Sequence, residues 1–377
     1  MSDNVNILNL KVEYFDQLSE FLQSMTGGQY SSTLWIDRFN YWWVDNPNAK
    51  EIGRYGRVIF NNSNEIKGFL GFVPIPYKYN DTNIISAGFT SWFVDEDFRG
   101  KSLQLLRSLL KEPNIELFFD TTPSDKAVQI FSALKFNLID REWHNKLNLK
   151  PINFDLLVEY YSYRKLSSRK LSLIFIIFFK LIPVQKLFNI FYMRLSTKNE
   201  YEVRKMTNFT ETHTKIWDEV NKDSLLYANR SQENASWLFW GSKHLSDSRV
   251  CMEILKNKKL IGYCIFDICK RQMLDREVCF YQLKEWAVCD NNKKSHQELL
   301  FSIINHARKN KKVAAVNIEP FSNDIICNIM DFGINVKKKN HKCLIKASGE
   351  NKDKLTKIIN KSFNDTPMDG DRAYFNF

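Results

Sequence analysis

The alternation of apolar and polar positions in the first third of the chain predicts strands that are followed by helices. Residues 58–60 and 66–72 are short runs rich in β-branched and aromatic side chains, and they predict an antiparallel strand pair. Residues 92–94 predict the end of a further strand, and the leucines of 103–110 recur at helical spacing. The intervening residues 95–102 are acidic at first and then basic, and they predict a loop that leads from this strand into this helix.

This loop has the composition of an anion-binding site. Arg99, Gly100, Lys101 and Ser102 stand directly before the predicted helix. Backbone N–H groups at a helix start have no intrahelical partners and lie at the positive end of the helix dipole. The segment therefore predicts a site where a phosphate is bound by groups that are already oriented.

A second strand and a second helix follow in the order that one known superfamily requires. Residues 116–120 predict a buried strand, and 123–136 predict a helix with an exit turn. Together with the loop, they resemble the GNAT superfamily of acyl-CoA N-acyltransferases, in which a strand with a splayed end precedes an Arg/Gln-x-x-Gly-x-Gly/Ala loop that holds the CoA pyrophosphate. Arg99 to Lys101 fit this loop, whereas Ser102 stands where the first Gly is expected and Gln104 where Gly or Ala is expected.

The resemblance implies a donor and a set of binding residues. The donor is acetyl-CoA or another acyl-CoA. The implied binding residues are Trp92, Phe93, Val94, Arg99, Gly100, Lys101, Ser102, Leu103, Gln104 and Ser124. In the family's last helix a Tyr protonates the departing thiolate in many members, and Phe131 stands at that position here. Phenylalanine has no proton to donate.

Transfer to an amine also needs a group that takes up a proton. Asp120, at the end of its strand, is the first candidate because it should face the cleft where two strands part; its alternative role is a turn or capping carboxylate. His144, beside Trp143, is the second candidate, and its alternative is a structural histidine. Five tryptophans predict either a stacking wall for a sugar ring or ordinary core: Trp35, Trp42, Trp43, Trp237 and Trp240.

The second half of the chain repeats the pattern of the first. Gly68 and Val94 are 26 positions apart, and so are Gly262 and Val288. The repeat predicts a tandem duplication, in which residues 297–309 form the helix after the loop. Residues 290–295 carry neither Gly nor Arg, so the first copy is the predicted donor domain.

The predicted fold class is therefore α/β (α+β), with tandem GNAT-like domains that are each a mixed, largely antiparallel twisted sheet flanked by helices. Residues 1–150 form the domain with the acyl-CoA loop, and 151–200 form a basic and apolar helical linker. Residues 201–377 form a second, degenerate domain.

Composition adds charge and compartment to this picture. With 54 Lys and Arg against 43 Asp and Glu, the net charge is +11, which indicates either a solvated basic surface or attraction to an anionic partner. The seven Cys form no C-x-x-C pair and the six His are scattered, so no metal is predicted. The polar N-terminus predicts a cytoplasmic location. Residues 164–195 predict either a packed linker helix or peripheral contact with the inner face of the membrane.

The leading hypothesis is an acyl-CoA-dependent N-acyltransferase that modifies an amino group. The expected acceptor is a small molecule, a nucleotide-linked amino sugar of surface polysaccharide biosynthesis, and nucleic acid is not expected as a partner. One alternative is a Fem-type aminoacyl-tRNA-dependent transferase, which uses two GNAT-like domains as well. The other is a non-catalytic protein with degenerate acyltransferase domains, which Ser102, Gln104 and Phe131 favour.

Overall fold

A computed structural model describes residues 6–80, 82–139, 146–165, 200–290, 292–330, 333–337, 342–364 and 366–369. The first half contains the strands β1 (Asn6–Asn9), β2 (Gly56–Phe60), β3 (Ile66–Tyr79), β4 (Thr82–Val94), β5 (Leu117–Asp120), β6 (Asn137–Ile139) and β7 (Lys146–Pro151). Its α-helices are α1 (Phe15–Met25), α2 (Ser32–Phe39), α3 (Pro47–Ile52), α4 (Ser102–Leu109), α5 (Asp125–Ala133) and α6 (Phe154–Lys165).

The second half continues with a similar series of elements. Its strands are β8 (Tyr201–Lys205), β9 (Leu226–Ala228), β10 (Arg249–Lys256), β11 (Lys259–Met273), β12 (Arg276–Val288), β13 (Val313–Ile318), β14 (Ile334–Lys337), β15 (Cys343–Ala347) and β16 (Phe363–Asn364). Its α-helices are α7 (Glu211–Val220), α8 (Gln232–Trp240), α9 (Lys243–Ser248), α10 (Lys293–Arg308), α11 (Asn323–Ile329) and α12 (Lys352–Ser362).

The chain forms two compact units, and each of them is discontinuous in sequence. Unit 1 takes in Met1–Asp140, Ser224–Lys243 and Lys342–Phe375, and unit 2 takes in Arg141–Asp223 and His244–His341. The sequence predicted three contiguous segments, 1–150, 151–200 and 201–377, whereas each compact unit combines segments from both halves of the chain. The boundaries of independently folding domains stay a prediction.

Unit 1 is built on a nine-stranded mixed sheet. Its main order is β1-β2-β3-β4-β5-β15-β6, and β9 pairs with both the end of β3 and β16. The neighbours are antiparallel except for the parallel pairs β4 with β5 and β9 with β16. The middle strands read as nearly continuous apolar runs because helices cover both faces, as in β3, where all but four of the fourteen residues are apolar or aromatic.

Unit 2 is built on a seven-stranded sheet with the order β14-β7-β13-β12-β11-β10-β8. Here β12 and β13 form the parallel pair, and the other neighbours are antiparallel. Helix α10 packs against this sheet and buries Leu299, Ile303 and Ile304 in the core of the unit. Both sheets are mixed and flanked by helices, so the fold class predicted from the sequence is confirmed.

Each sheet holds, at one equivalent place in its order, a strand from the opposite half of the chain, and the sheet of unit 1 also takes in β9 and β16 from the second half. In unit 1, β15 lies between β5 and β6, where Leu344 opposes both Asp120 and Leu138. In unit 2, β7 lies between β13 and β14, where Leu149 opposes both Asn317 and Ile334. The two halves therefore exchange the strand at the same place in the sheet order, and neither sheet is complete without residues from the other half.

The internal repeat is visible in the strand register. Gly68 is the cross-strand partner of Val94 in the β3–β4 pair, and Gly262 is the partner of Val288 in the β11–β12 pair. The common spacing of 26 residues is thus the length of one long hairpin in each unit. The helix predicted at 297–309 begins earlier, at Lys293, because the side chain of Asn292 accepts a hydrogen bond from the Lys294 N–H at 3.0 Å.

Four of the five tryptophans that the sequence assigned either to a sugar-stacking wall or to the core are core residues. Trp35, Trp42 and Trp43 are at most 2% exposed and Trp237 is 7% exposed, whereas Trp240 is half-buried. The Trp43 Nε1–H donates to the Phe72 carbonyl at 2.8 Å. Because these four rings are buried, they do not form an exposed surface on which a sugar could stack.

Candidate functional site

A gap opens in the sheet of unit 1 because β4 runs on beyond its partner β5. The parallel pairing consists of Ser86 with Leu117, Ala87 with Phe118 and Gly88 with Phe119. From Phe89 to Val94, β4 stays paired with β3 but has left β5. A cleft of about 300 Å³ lies at this parting, and its walls include the β4 residues 89–93 and the β5 residue Asp120. The splayed strand end implied by the family resemblance is therefore present.

A β-bulge shapes the wall of this cleft. Phe69 pairs with Phe93 and Gly71 with Thr90, so two residues of β4, Ser91 and Trp92, stand opposite the single residue Leu70. Ser91 has a φ of 55°, which is uncommon outside glycine. Such strained residues persist where the surrounding structure fixes them, and they cluster at functional sites.

Sequence reasoning missed Ser91, although a signal was present. Phe89, Trp92 and Val94 all pack on the side of the sheet that carries helix α4. Strict alternation would place Phe89 and Trp92 on opposite faces because they are three residues apart. Two large apolar residues at this odd spacing in one strand indicate a bulge between them.

The predicted anion loop is more ordered than an open loop. Residues Glu96–Lys101 form a 3₁₀ helix that runs directly into α4, and the Ser102 N–H donates to the Arg99 carbonyl. At least this one N–H of the helix start is therefore used internally, which corrects the expectation of wholly unpartnered donors. Asp95 begins the turn, since its Oδ1 accepts from the Asp97 N–H at 3.2 Å.

Several side chains of this segment are exposed to solvent, whereas Phe98 packs against the core. Arg99 and Glu96 form an ion pair at 3.1 Å, and both side chains are at least 70% exposed, so the pair adds little to stability. Leu103 is 38% exposed and Gln104 is also exposed. An alanine methyl at position 100 would meet no atom within 4 Å, so the fold of the described residues does not itself require Gly100.

The start of helix α5 forms the opposite wall of the cleft. Ser124 is its N-cap, and its hydroxyl accepts a hydrogen bond from the Ala127 N–H at 3.2 Å. Phe131 on the same helix also lines the cleft, and its ring lies 5.3 Å from Phe89 and 4.7 Å from Phe136. The position of the family's proton-donating Tyr is thus a buried hydrocarbon wall.

Asp120 has the placement that the sequence predicted and also the alternative role. It is the last residue of β5, it is half-buried, and it lines the cleft beside Thr122 and Ser124. Its Oδ1 accepts a hydrogen bond from the Thr122 N–H at 2.9 Å, as a turn carboxylate does.

The predicted site residues fall into three groups. Trp92, Phe93, Ser124 and Asp120 line one cleft. Val94 and residues 99–104 lie at the end of β4 and in the segment that follows it, outside the lining of the cleft. His144 lies outside the described residues.

The β11–β12 pair of unit 2 carries a buried cluster of charged side chains beside its register shift. Arg249 Nε donates to Asp267 Oδ1 at 2.6 Å, and Lys284 Nζ lies 3.5 Å from Asp267 Oδ2. All three side chains are nearly inaccessible to solvent. Lys284 is the extra residue of the register shift in the β11–β12 pair, so the repeat keeps a bulge in the same strand but pairs it with a buried ionic network.

Cys251 and Cys269 are buried thiols. Burial raises the pKa of Cys251 to about 12 and that of Cys269 to about 11, so both thiols stay protonated near neutral pH. The described residues contain no group of three or more potential metal ligands. Among the same residues, no helix is long and apolar enough to cross a membrane. Most of the segment 164–195 lies outside the described residues.

Known structures share this architecture. No protein-family model matches the sequence, and no curated protein matches it. A GCN5-related N-acetyltransferase from Anabaena variabilis matches with a TM-score of 0.56 at 11% identity, covering 91% of this chain and 73% of that chain. An N-myristoyltransferase from Saccharomyces cerevisiae, solved with bound myristoyl-CoA, matches with a TM-score of 0.54 at 12% identity, covering 92% and 78%. At such identities the likeness establishes the fold: this chain has the GNAT fold in two units, as predicted.

Proposed function

We propose that the chain is an acyl-CoA-dependent N-acyltransferase whose donor site is the cleft of unit 1. The observation that carries the proposal is the parting of β4 from β5 beside the start of α5. It leaves the β4 edge from Phe89 to Val94 without a β5 partner, and an extended amide-containing chain such as pantetheine pairs with an edge of this kind. The fold likeness to N-acyltransferases supports the same function.

The donor-binding roles follow from position. Trp92, Phe93 and Val94 would contact the pantetheine arm, and the N-cap of α5 at Ser124 lies on the other wall of the cleft. Arg99 and Lys101 would contact the phosphates, because both side chains lie at the start of α4 and carry positive charge. Gly100, Ser102, Leu103 and Gln104 would supply backbone and surface close to these phosphates.

Asp120 is the proposed general base. Attack on a thioester requires a neutral amine, and Asp120 is the carboxylate among the residues that line the cleft. Phe131 cannot protonate the leaving thiolate, so in this proposal water or the ammonium formed on attack supplies that proton.

The acceptor in this proposal is a small molecule with an amino group, and a nucleotide-linked amino sugar is our candidate. The net charge of +11 favours an acceptor that carries phosphate. We place the reaction in the cytoplasm because all seven cysteines are free thiols, which persist in a reducing compartment. Peripheral membrane contact through 164–195 stays a prediction.

Isothermal titration with acetyl-CoA and CoA tests the donor proposal. We expect binding by the wild-type protein and a loss of at least tenfold in affinity in the double variant Arg99→Ala, Lys101→Ala, because two phosphate contacts are removed. A matched control is Lys258→Ala, Lys259→Ala, which removes two charges from the β10–β11 turn of unit 2. Absence of heat from the wild-type protein would contradict the proposal and favour a tRNA-dependent or non-catalytic protein.

Gly100→Ala separates ligand binding from folding. Because a methyl group at position 100 has free space, we expect the free energy of unfolding to stay the same or rise by up to about 1 kcal/mol. We expect the affinity for CoA to fall about tenfold, since the methyl group would lie where the phosphates approach the backbone. Chemical denaturation and titration on one sample measure both, and unchanged affinity would place the phosphates elsewhere.

A further inference from the structure

Two tryptophans at equivalent positions of the two units differ in the hydrogen bonding of their indole N–H groups. Trp92 and Trp286 each stand two residues before the valine that pairs with the repeated glycine, so they are equivalent positions of β4 and β12. Both rings pack on the side of the sheet that carries the following helix. The two indole rings therefore lie at equivalent strand positions and on the same side of their sheets.

In unit 2 the indole N–H is satisfied from within the protein. Trp286 Nε1 donates to His296 Nδ1 at 3.0 Å, and the two residues are 4% and 2% exposed. His296 lies on α10, eight positions after Val288. Helix α10, which follows the strand, thus supplies a side-chain acceptor for this N–H group.

In unit 1 the equivalent indole N–H group has no such acceptor among the described residues. Trp92 Nε1 is buried and has no hydrogen-bond partner among the described residues. Helix α4 begins at Ser102, after the 3₁₀ helix, and no side chain of the described residues takes the place of His296 as an acceptor for this N–H group. Buried polar groups are nearly always paired, so an unpaired indole N–H in a cleft wall calls for a ligand that completes it.

We propose that the Trp92 N–H donates to a carbonyl oxygen of the acyl donor in the unit 1 cleft, which makes Trp92 a donor-recognition residue through its side chain. This inference rests on the proposed function. The acyl donor offers carbonyl oxygens in its thioester and in its pantetheine amides, and both are hydrogen-bond acceptors. Because Nε1 is buried, the proposed bond requires a small rotation of the indole toward the cleft.

The variant Trp92→Phe tests the proposal, because it removes the N–H and keeps an aromatic ring. Trp35→Phe is the matched control: Trp35 also has a buried Nε1 without a partner, and it lies on α2 outside the cleft lining. Titration with acetyl-CoA should show about a tenfold loss of affinity for Trp92→Phe, which corresponds to about 1.4 kcal/mol, and no loss for Trp35→Phe.

Two further measurements make the outcomes distinct. A loss for acetyl-CoA and CoA alike assigns the bond to a pantetheine amide, and a loss for acetyl-CoA alone assigns it to the thioester. In both cases the indole N–H resonance of Trp92, assigned from its absence in Trp92→Phe, should shift downfield when ligand is added. Binding by wild type with equal affinity in Trp92→Phe and an unmoved resonance would overturn the inference and leave the proposed function intact. Absence of binding by wild type would instead overturn both.

Discussion

Asp120→Asn is expected to lower kcat for acyl transfer by about 10²–10⁴-fold, the usual contribution of a positioned general base. Asparagine keeps an oxygen that accepts from the Thr122 N–H, so the turn after β5 and the affinity for acetyl-CoA should be preserved. Steady-state kinetics with an amine acceptor, together with titration of the same variant, measure the two effects separately.

Asp95→Asn is the matched control for this prediction. Asp95 also accepts an N–H two residues further along, from Asp97, and it stands outside the cleft lining. We expect its kcat to stay within about twofold of wild type, because a turn carboxylate does not take part in proton transfer. Equal loss in the two variants, or full activity in Asp120→Asn, would show that Asp120 is only a turn residue.

Leu344→Ala is expected to destabilise unit 1 by about 2–5 kcal/mol, the range for truncating a fully buried leucine. Leu344 is 0% exposed and lies on β15, between β5 and β6. Although it belongs to the second half of the chain, its loss should speed amide exchange in Leu117–Asp120 and Asn137–Ile139. Hydrogen exchange followed by mass spectrometry locates the effect.

Leu149→Ala is the reciprocal variant. Leu149 is 4% exposed and belongs to the first half of the chain, but β7 lies between β13 and β14 of unit 2. We expect faster exchange in Val313–Ile318 and Ile334–Lys337 and little change in β5. If each variant instead loosened only the unit that is nearer to it in sequence, the exchange of strands would be disproved.

Much of the site's framework could be predicted from the sequence, because it depends on local patterns. The apolar runs located β3, the end of β4 and β5, and the helical spacing located α4. The equal spacing predicted a tandem duplication, and the structure pairs Gly68 with Val94 and Gly262 with Val288. Ser124 was predicted as a donor-site residue and lines the cleft.

The remaining features depend on contacts that a local pattern does not contain. The positions of β7 and β15 are decided by which sheet gap each strand fills. The first strand alternates polar and apolar residues and the second is mostly apolar, and neither pattern specifies the neighbouring strands. Two local features were missed although the sequence carries a signal for each: the odd spacing of Phe89 and Trp92 marks the bulge at Ser91, and Asp95 caps the 3₁₀ helix at Glu96–Lys101. The sequence also does not show that the indole N–H of Trp92 lacks a hydrogen-bond partner among the described residues while that of Trp286 has one.

Hydrogen exchange of the wild-type protein with and without saturating acetyl-CoA tests the central claim most directly, because it reports where the ligand binds. The account predicts slower exchange in residues 89–94, 99–104 and 120–127 of unit 1. It predicts no change in the equivalent residues 283–288 and 293–298 of unit 2. Protection confined to unit 2, or no protection anywhere, would contradict the assignment of the acyl-donor site to the cleft between β4 and β5.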